Sequence, residues 1–209
     1  MVKEDTNPAR RPRRAGLLAV LAGLAVLALA PAAQASCNDK LVQPFKRYGD
    51  SNYYALAPGG TMESPTGWKL TGNASFVSGN EPAYVNSTKD SRSLKLAKGS
   101  SATSDFMCVD TSYTTLRFFG RDIPALATSV LKLEVLYKDP ATGTVKALQT
   151  NFGSSLLPTW GLTSQIALAA GKIPLYPDGT GRVAFRLSTV STLLGYWQVD
   201  DLYVDPRRR

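Results

Sequence analysis

The stretch from Val130 to Lys138 puts Leu131, Leu133, Val135 and Tyr137 on one side of an extended chain and Lys132, Glu134 and Lys138 on the other. A period of two cannot be satisfied by a helix, whose apolar positions recur every three or four residues, so this is the signature of a half-buried strand. The signature recurs: Leu94 and Leu96 alternate with Ser93 and Lys95, and Leu116 and Phe118 with Arg117 and Phe119. Val183, Phe185 and Leu187 alternate in the same way with Arg182 and Arg186. Pro58-Gly59-Gly60, Asp139-Pro140-Ala141-Thr142-Gly143 and Pro177-Asp178-Gly179-Thr180-Gly181 carry turn chemistry between such runs. The pattern predicts an all-β chain, an antiparallel β-sandwich or jelly roll, with a helical turn expected only within residues 164–172. There is no internal repeat or interdomain linker, and 209 residues suit one domain, placed at residues 36–205.

The first 35 residues have a different character. Arg10 to Arg14 supply a positive region, Ala15 to Ala30 run without a charged or polar side chain, Pro31 breaks a helix, and Ala33-Gln34-Ala35 is a small-x-small cleavage signal. The segment predicts a cleaved signal peptide over residues 1–35. The mature chain then begins at Ser36, is secreted to the extracellular space or cell wall, and keeps no stable membrane anchor. An uncleaved anchor is the competing reading, but an Ala-rich run falls short of the roughly 20 strongly apolar residues that span a bilayer. Arg13-Arg14 permits a twin-arginine route, with Gly16 where that route prefers a bulky apolar residue.

Export gives the two cysteines their meaning. Cys37 and Cys108 are the only pair, and an oxidising compartment favours a single bridge joining the N-terminal segment to a strand. Charge is concentrated at the ends. Of the net +8, the leader holds a surplus of three, and Arg207, Arg208 and Arg209 in the basic tail (residues 206–209) hold another three. The two charges left over are scattered, so no nucleic-acid footprint is present, and a monomer is the expected state.

The chain contains no histidine, which excludes Ser-His-Asp and Cys-His triads and the HExxH zinc motif. Ser129-Val130-Leu131-Lys132 fits an S-x-x-K pattern but enters a strand where that motif opens a helix. Gly179-Thr180-Gly181-Arg182-Val183-Ala184 fits a dinucleotide fingerprint but precedes a strand instead of joining a strand to a helix. No pair of carboxylates is marked for glycosidase chemistry. The expectation is a protein that is not an enzyme.

Two stretches, Gly59 to Leu70 with its Glu63 and Gly67-Trp68, and Gly195 to Pro206 with its Val199-Asp200-Asp201-Leu202, resemble the opening and closing strands of carbohydrate-binding modules with the galactose-binding-like β-sandwich fold. Ser91 to Leu96 and Thr115 to Arg121 fall where those modules have further core strands. The whole chain is also similar to uncharacterised secreted bacterial proteins sharing the Gly79-Asn80-Glu81-Pro82, Arg117-Phe118-Phe119 and Val199-Asp200-Asp201 elements. The resemblance implies a structural calcium ion held by Glu63 with Asp200 or Asp201, completed by carbonyls and water. The alternative for the two aspartates is a bulge, where they bond backbone N–H groups or pair with Lys or Arg.

A sugar-binding face needs exposed aromatics and polar forks. Arg117, Phe119, Arg121, Lys132, Glu134 and Arg186 all point away from the apolar positions of their strands, and together are the candidate ligand-binding set on one concave sheet. The competing reading makes them an ordinary solvated or second-layer face with Phe119 packed beneath a loop. Trp68 and Trp197 sit in apolar strand patterns and are expected in the core, whereas Tyr53, Tyr54, Tyr84 and Trp160 lie near loops or strand ends. The functional expectation is a secreted, non-catalytic module that binds carbohydrate or associates with the cell envelope, its partner a polysaccharide or cell-wall glycan. The alternative is a structural or adhesive extracellular β-sandwich without sugar recognition.

Overall fold

The computed structural model describes residues 37–123, 130–153, 158–190 and 195–207. The leader, Ser129, Arg208 and Arg209 lie outside them. Two antiparallel sheets pack face to face. The first contains β1 (Leu41–Val42), β2 (Tyr54–Leu56), β4 (Ser75–Ser78), β5 (Arg92–Ala97), β8 (Thr115–Ile123), β11 (Gly161–Leu162), β12 (Ile166–Ala167) and β14 (Tyr196–Asp205). The second contains β3 (Trp68–Thr71), β6 (Ser101–Ser104), β7 (Met107–Val109), β9 (Val130–Lys138), β10 (Val145–Gly153) and β13 (Gly181–Val190). The strand read from Val130 to Lys138 has those bounds. The predicted helical turn is a short 3-10 turn at Ala170–Lys172, preceded by β12.

The central strand of the first sheet is β14, which pairs with β8 along one edge and with β5 and then β2 along the other. In the second sheet β13 has the same place, with β9 on one side and β6 and β7 on the other. The inward residues meet between the sheets: Leu94, Leu96, Leu116, Phe118, Trp197, Val199, Leu202 and Val204 against Trp68, Ala102, Leu131, Leu133, Val135, Val183, Phe185 and Leu187. These side chains are buried, the two tryptophans among them as expected. At about 25 cal/mol per Å2 of apolar surface, each large one contributes about 1.5–3 kcal/mol. The Cys37–Cys108 disulfide is formed, with Cα atoms 5.6 Å apart, and ties the start of the described chain to β7.

The pairing of β14 with β8 carries one irregularity. Asp200 pairs with Phe119 and Tyr203 with Arg117, so β14 spends one more residue than β8 between those pairs. This is a β-bulge, and it places Asp201 at φ +50, a left-handed conformation that Asp and Asn tolerate better than most residues. Opposite the bulge, Ala57 N–H donates to Leu202 O and Leu202 N–H to Gly60 O. Gly60 permits that approach, since a Cβ there would stand 2.6 Å from Leu202 O.

Candidate functional site

The six candidate ligand residues do not share a face. Arg117, Phe119 and Arg121 point outward from the first sheet, while Lys132, Glu134 and Arg186 point outward from the second, on the opposite side of the sandwich. The concave-sheet expectation is therefore corrected. Alternation states which side of its own sheet a side chain takes, but not which sheet the strand joins.

On the first sheet the outward face is covered. Phe45, from the segment before β2, lies on Tyr54, Tyr203 and Phe119 with ring centroids 4.9, 5.6 and 6.1 Å away, and these four form a second, separate apolar cluster. Phe119 is 2% exposed and offers no stacking surface. Its polar neighbours are equally committed. Arg117 pairs with Asp50 at 2.7 Å and gives Nε and Nη2 to Thr163 O at 2.9 and 2.7 Å. Arg121 donates from Nε to Gln198 Oε1 at 2.6 Å, with its guanidinium 4.8 Å from the Trp160 ring centroid. Burial opposes ionisation of Asp50, but hydrogen bonds from Tyr54, the Asn52 N–H and Arg117 outweigh it and hold the carboxyl below its usual range.

The second sheet keeps its outward polar groups in two parallel rows. Strand register puts Lys132, Ser188, Ser101 and Thr71 in one row and Glu134, Arg186, Thr103 and Lys69 in the next, each crossing β9, β13, β6 and β3. With strands about 4.8 Å apart, each row is about 14 Å long. Glu134 joins them, accepting from Arg186 Nε at 2.7 Å and lying 3.1 Å from the Lys132 ammonium. Its side chain is 8% exposed, against 28% for Lys132 and 39% for Arg186, so the cationic heads face solvent and the carboxylate lies beneath them. The Arg186 guanidinium, and then Lys132, hold the Glu134 carboxyl below its ordinary value.

The predicted metal residues have unequal situations. The Glu63 carboxylate accepts the N–H groups of Ser91 and Arg92, both at 2.8 Å. Asp200 accepts the N–H groups of Glu81 and Asp201, each at 3.0 Å. Both oxygens of Asp201 are buried with no hydrogen-bond partner. Burial, then the Asp201 charge, pushes Asp200 up to about 9, and burial with the charges of Glu81, Asp90 and Glu63 pushes Asp201 up to about 8. Among the described residues no three His, Cys, Asp or Glu side chains form a ready metal cluster. A calcium site here would draw on backbone carbonyls and water. The unpartnered Asp201 carboxylate fits such an ion, because a buried anion without donors is costly.

The sequence reading missed a cleft. About 530 Å3 in volume, it is lined by Asn52, Thr114, Thr115, Gln165, Asp205 and Arg207, where the start of β8 meets the end of β14. These residues come from distant parts of the chain with no common spacing, so only the register brings them together.

No family model matches the chain, and no curated protein matches it. Solved structures similar to it include carbohydrate-binding modules. One is a family 61 module in complex with β-1,4-galactotriose, 12% identical, covering 70% of this chain and 93% of its own, with a TM-score of 0.40. Another is the CBM22-1 xylan-binding domain of Paenibacillus barcinonensis Xyn10C, 12% identical, covering 71% and 92%, with a TM-score of 0.45. A third is the K2 cleaved adhesin domain of Lys-gingipain, 14% identical, covering 68% and 91%, with a TM-score of 0.41. At such identities and scores the likeness bears on neither ligand nor site.

Proposed function

We propose that the chain is an exported, non-catalytic glycan-binding module that holds an extended polysaccharide against the outward face of its second sheet. The observation carrying this reading is the pair of polar rows crossing β9, β13, β6 and β3. Hydroxyl, ammonium and guanidinium groups at strand spacing supply donors and acceptors at short intervals, as a chain of sugar hydroxyls requires. Neither row contains an aromatic side chain, so hydrogen bonding rather than ring stacking does the holding. Lys69, Lys132 and Arg186 stand against Glu134 alone, and this balance favours glycans bearing acidic groups. Glu134 is the one carboxylate in the rows and is held ionised by its neighbours, which leaves them without the proton-donating partner that glycoside cleavage needs.

A structural calcium ion belongs to the same proposal. Asp201 would be its central ligand, with Glu63 the nearer acidic partner in sequence to the Ala57–Gly60 segment that bonds Leu202. The ion neutralises the buried carboxylate and strengthens the junction between that segment and β14. The test of the reading is binding of a panel of acidic and neutral polysaccharides to the oxidised protein and to Arg186→Ala and Lys132→Ala. Saturable binding of an acidic polymer, weakened in both variants and by added salt, supports it. Equal binding by all three proteins would remove the second sheet from recognition.

A further inference from the structure

The cleft at the junction of β8 and β14 is separate from both polar rows and from the acidic bulge. All six of its lining residues are polar. Its volume of about 530 Å3 lies within the range of about 300–1,000 Å3 usual for small-molecule sites. Asp205, 2% exposed, accepts from Asn52 Nδ2 at 3.1 Å and from Thr115 Oγ1 at 3.4 Å through one carboxylate oxygen, and from the Arg207 N–H at 2.6 Å through the other. Thr114 Oγ1, on the wall, is buried without a hydrogen-bond partner.

The walls are set in place by the fold. Thr115 begins β8 and Asp205 ends β14, and the two are paired in register. Gln165 precedes β12, whose Ile166 pairs with Leu116, and its amide reaches Asp50 Oδ2 at 3.5 Å. Asp50 is itself held by Arg117 and Tyr54 at 2.7 and 2.6 Å, and its backbone neighbour Asn52 N–H donates to Asp50 Oδ1 at 3.1 Å. These bonds hold Asn52 in place before any ligand arrives, which lowers the ordering cost of binding.

We infer that this cleft binds a single neutral sugar ring or the end of a saccharide chain. Carboxylate, amide and hydroxyl side chains line the cleft together with Arg207, so the hydroxyls of one ring have both acceptors and donors within it. An apolar ligand finds a mostly polar wall. An anion meets the buried Asp205 with Asp50 behind it, and a small cation leaves the amide donors unused. The inference shares with the polysaccharide reading its class of ligand, but it places the ligand on different residues.

The experiment is an NMR titration of the oxidised protein with the methyl glycosides of neutral pentoses and hexoses at millimolar concentration. Wild type, Gln165→Ala, Asn52→Ala and Arg186→Ala are compared, with melting temperatures recorded for each. The Gln165 side chain is exposed, so its variant is expected to fold as wild type does. Saturable shifts at Thr114, Thr115 and Gln165 in wild type, weakened about tenfold or more in Gln165→Ala and unchanged in Arg186→Ala, support the site. Absence of saturable shifts for every glycoside overturns it, as does binding that Gln165→Ala and Asn52→Ala leave intact. Polysaccharide binding lost only in Arg186→Ala, without glycoside binding in the cleft, overturns this inference and leaves the sheet reading standing.

Discussion

The ring of Phe45 lies 6.1 Å from that of Phe119, tilted by 53°, and closes the outward face of the first sheet. Phe119 therefore belongs to a core and not to a binding surface. Phe119→Ala is expected to lower stability by about 3–5 kcal/mol, the usual cost of emptying a buried aromatic site. Polysaccharide binding by the remaining folded protein should not change. Thermal melting beside a binding assay checks both, and a variant that melts like wild type but loses glycan would return Phe119 to the site.

At the bulge in β14, excess calcium is expected to raise the melting temperature at neutral pH and chelation to lower it, by linkage to an ion bound only in the folded state. Asp201→Asn keeps a residue that tolerates positive φ but removes the charge. It should abolish the calcium response and, in chelator at neutral pH, raise stability, because folding no longer has to protonate a carboxyl whose folded pKa is raised. A melt that ignores both calcium and chelator would rule out the ion.

Glu134 supplies a pH signature. Its folded pKa lies below the unfolded value, so its contribution is present above the unfolded pKa near 4.3 and is lost as pH falls through the lowered folded value. Glu134→Gln should cost about 1 kcal/mol at pH 7, a figure kept small because Arg186 and Lys132 are partly solvated. Variant and wild type should converge as pH falls below the lowered folded value. A difference that persists undiminished in acid would mean the effect is packing rather than charge.

Reduction of the Cys37–Cys108 bridge, separated by 71 residues, releases a long loop in the unfolded chain. The chain-entropy relation gives a loss of about 4 kcal/mol. Denaturant unfolding with and without reductant measures it.

Much of the fold was legible because local patterns carry it. Leu131, Leu133, Val135 and Tyr137 marked β9, and Asp139 to Gly143 marked the turn that follows. The site was less legible, because β8 and β9 are neighbours in sequence yet lie in different sheets. Outward residues on two such strands end on opposite sides of the sandwich, as Phe119 and Glu134 do. Nor does any period announce that the segment carrying Phe45 folds over β8, since that is a long-range packing choice. The cleft between Asn52, Thr115, Gln165 and Asp205 depends on register alone. For Asp200 and Asp201 the bulge was among the readings the sequence offered, and Asp200 does bond backbone N–H groups.

Glycan recognition by the second sheet is tested most directly by the affinity of the oxidised protein for an acidic polysaccharide, measured with wild type and Arg186→Ala at low and physiological salt. Saturable binding is expected to weaken severalfold with the substitution and with salt, while the melting temperature stays within a few degrees of wild type. Failure of wild type to bind acidic or neutral polysaccharides, with the fold intact, would contradict that recognition.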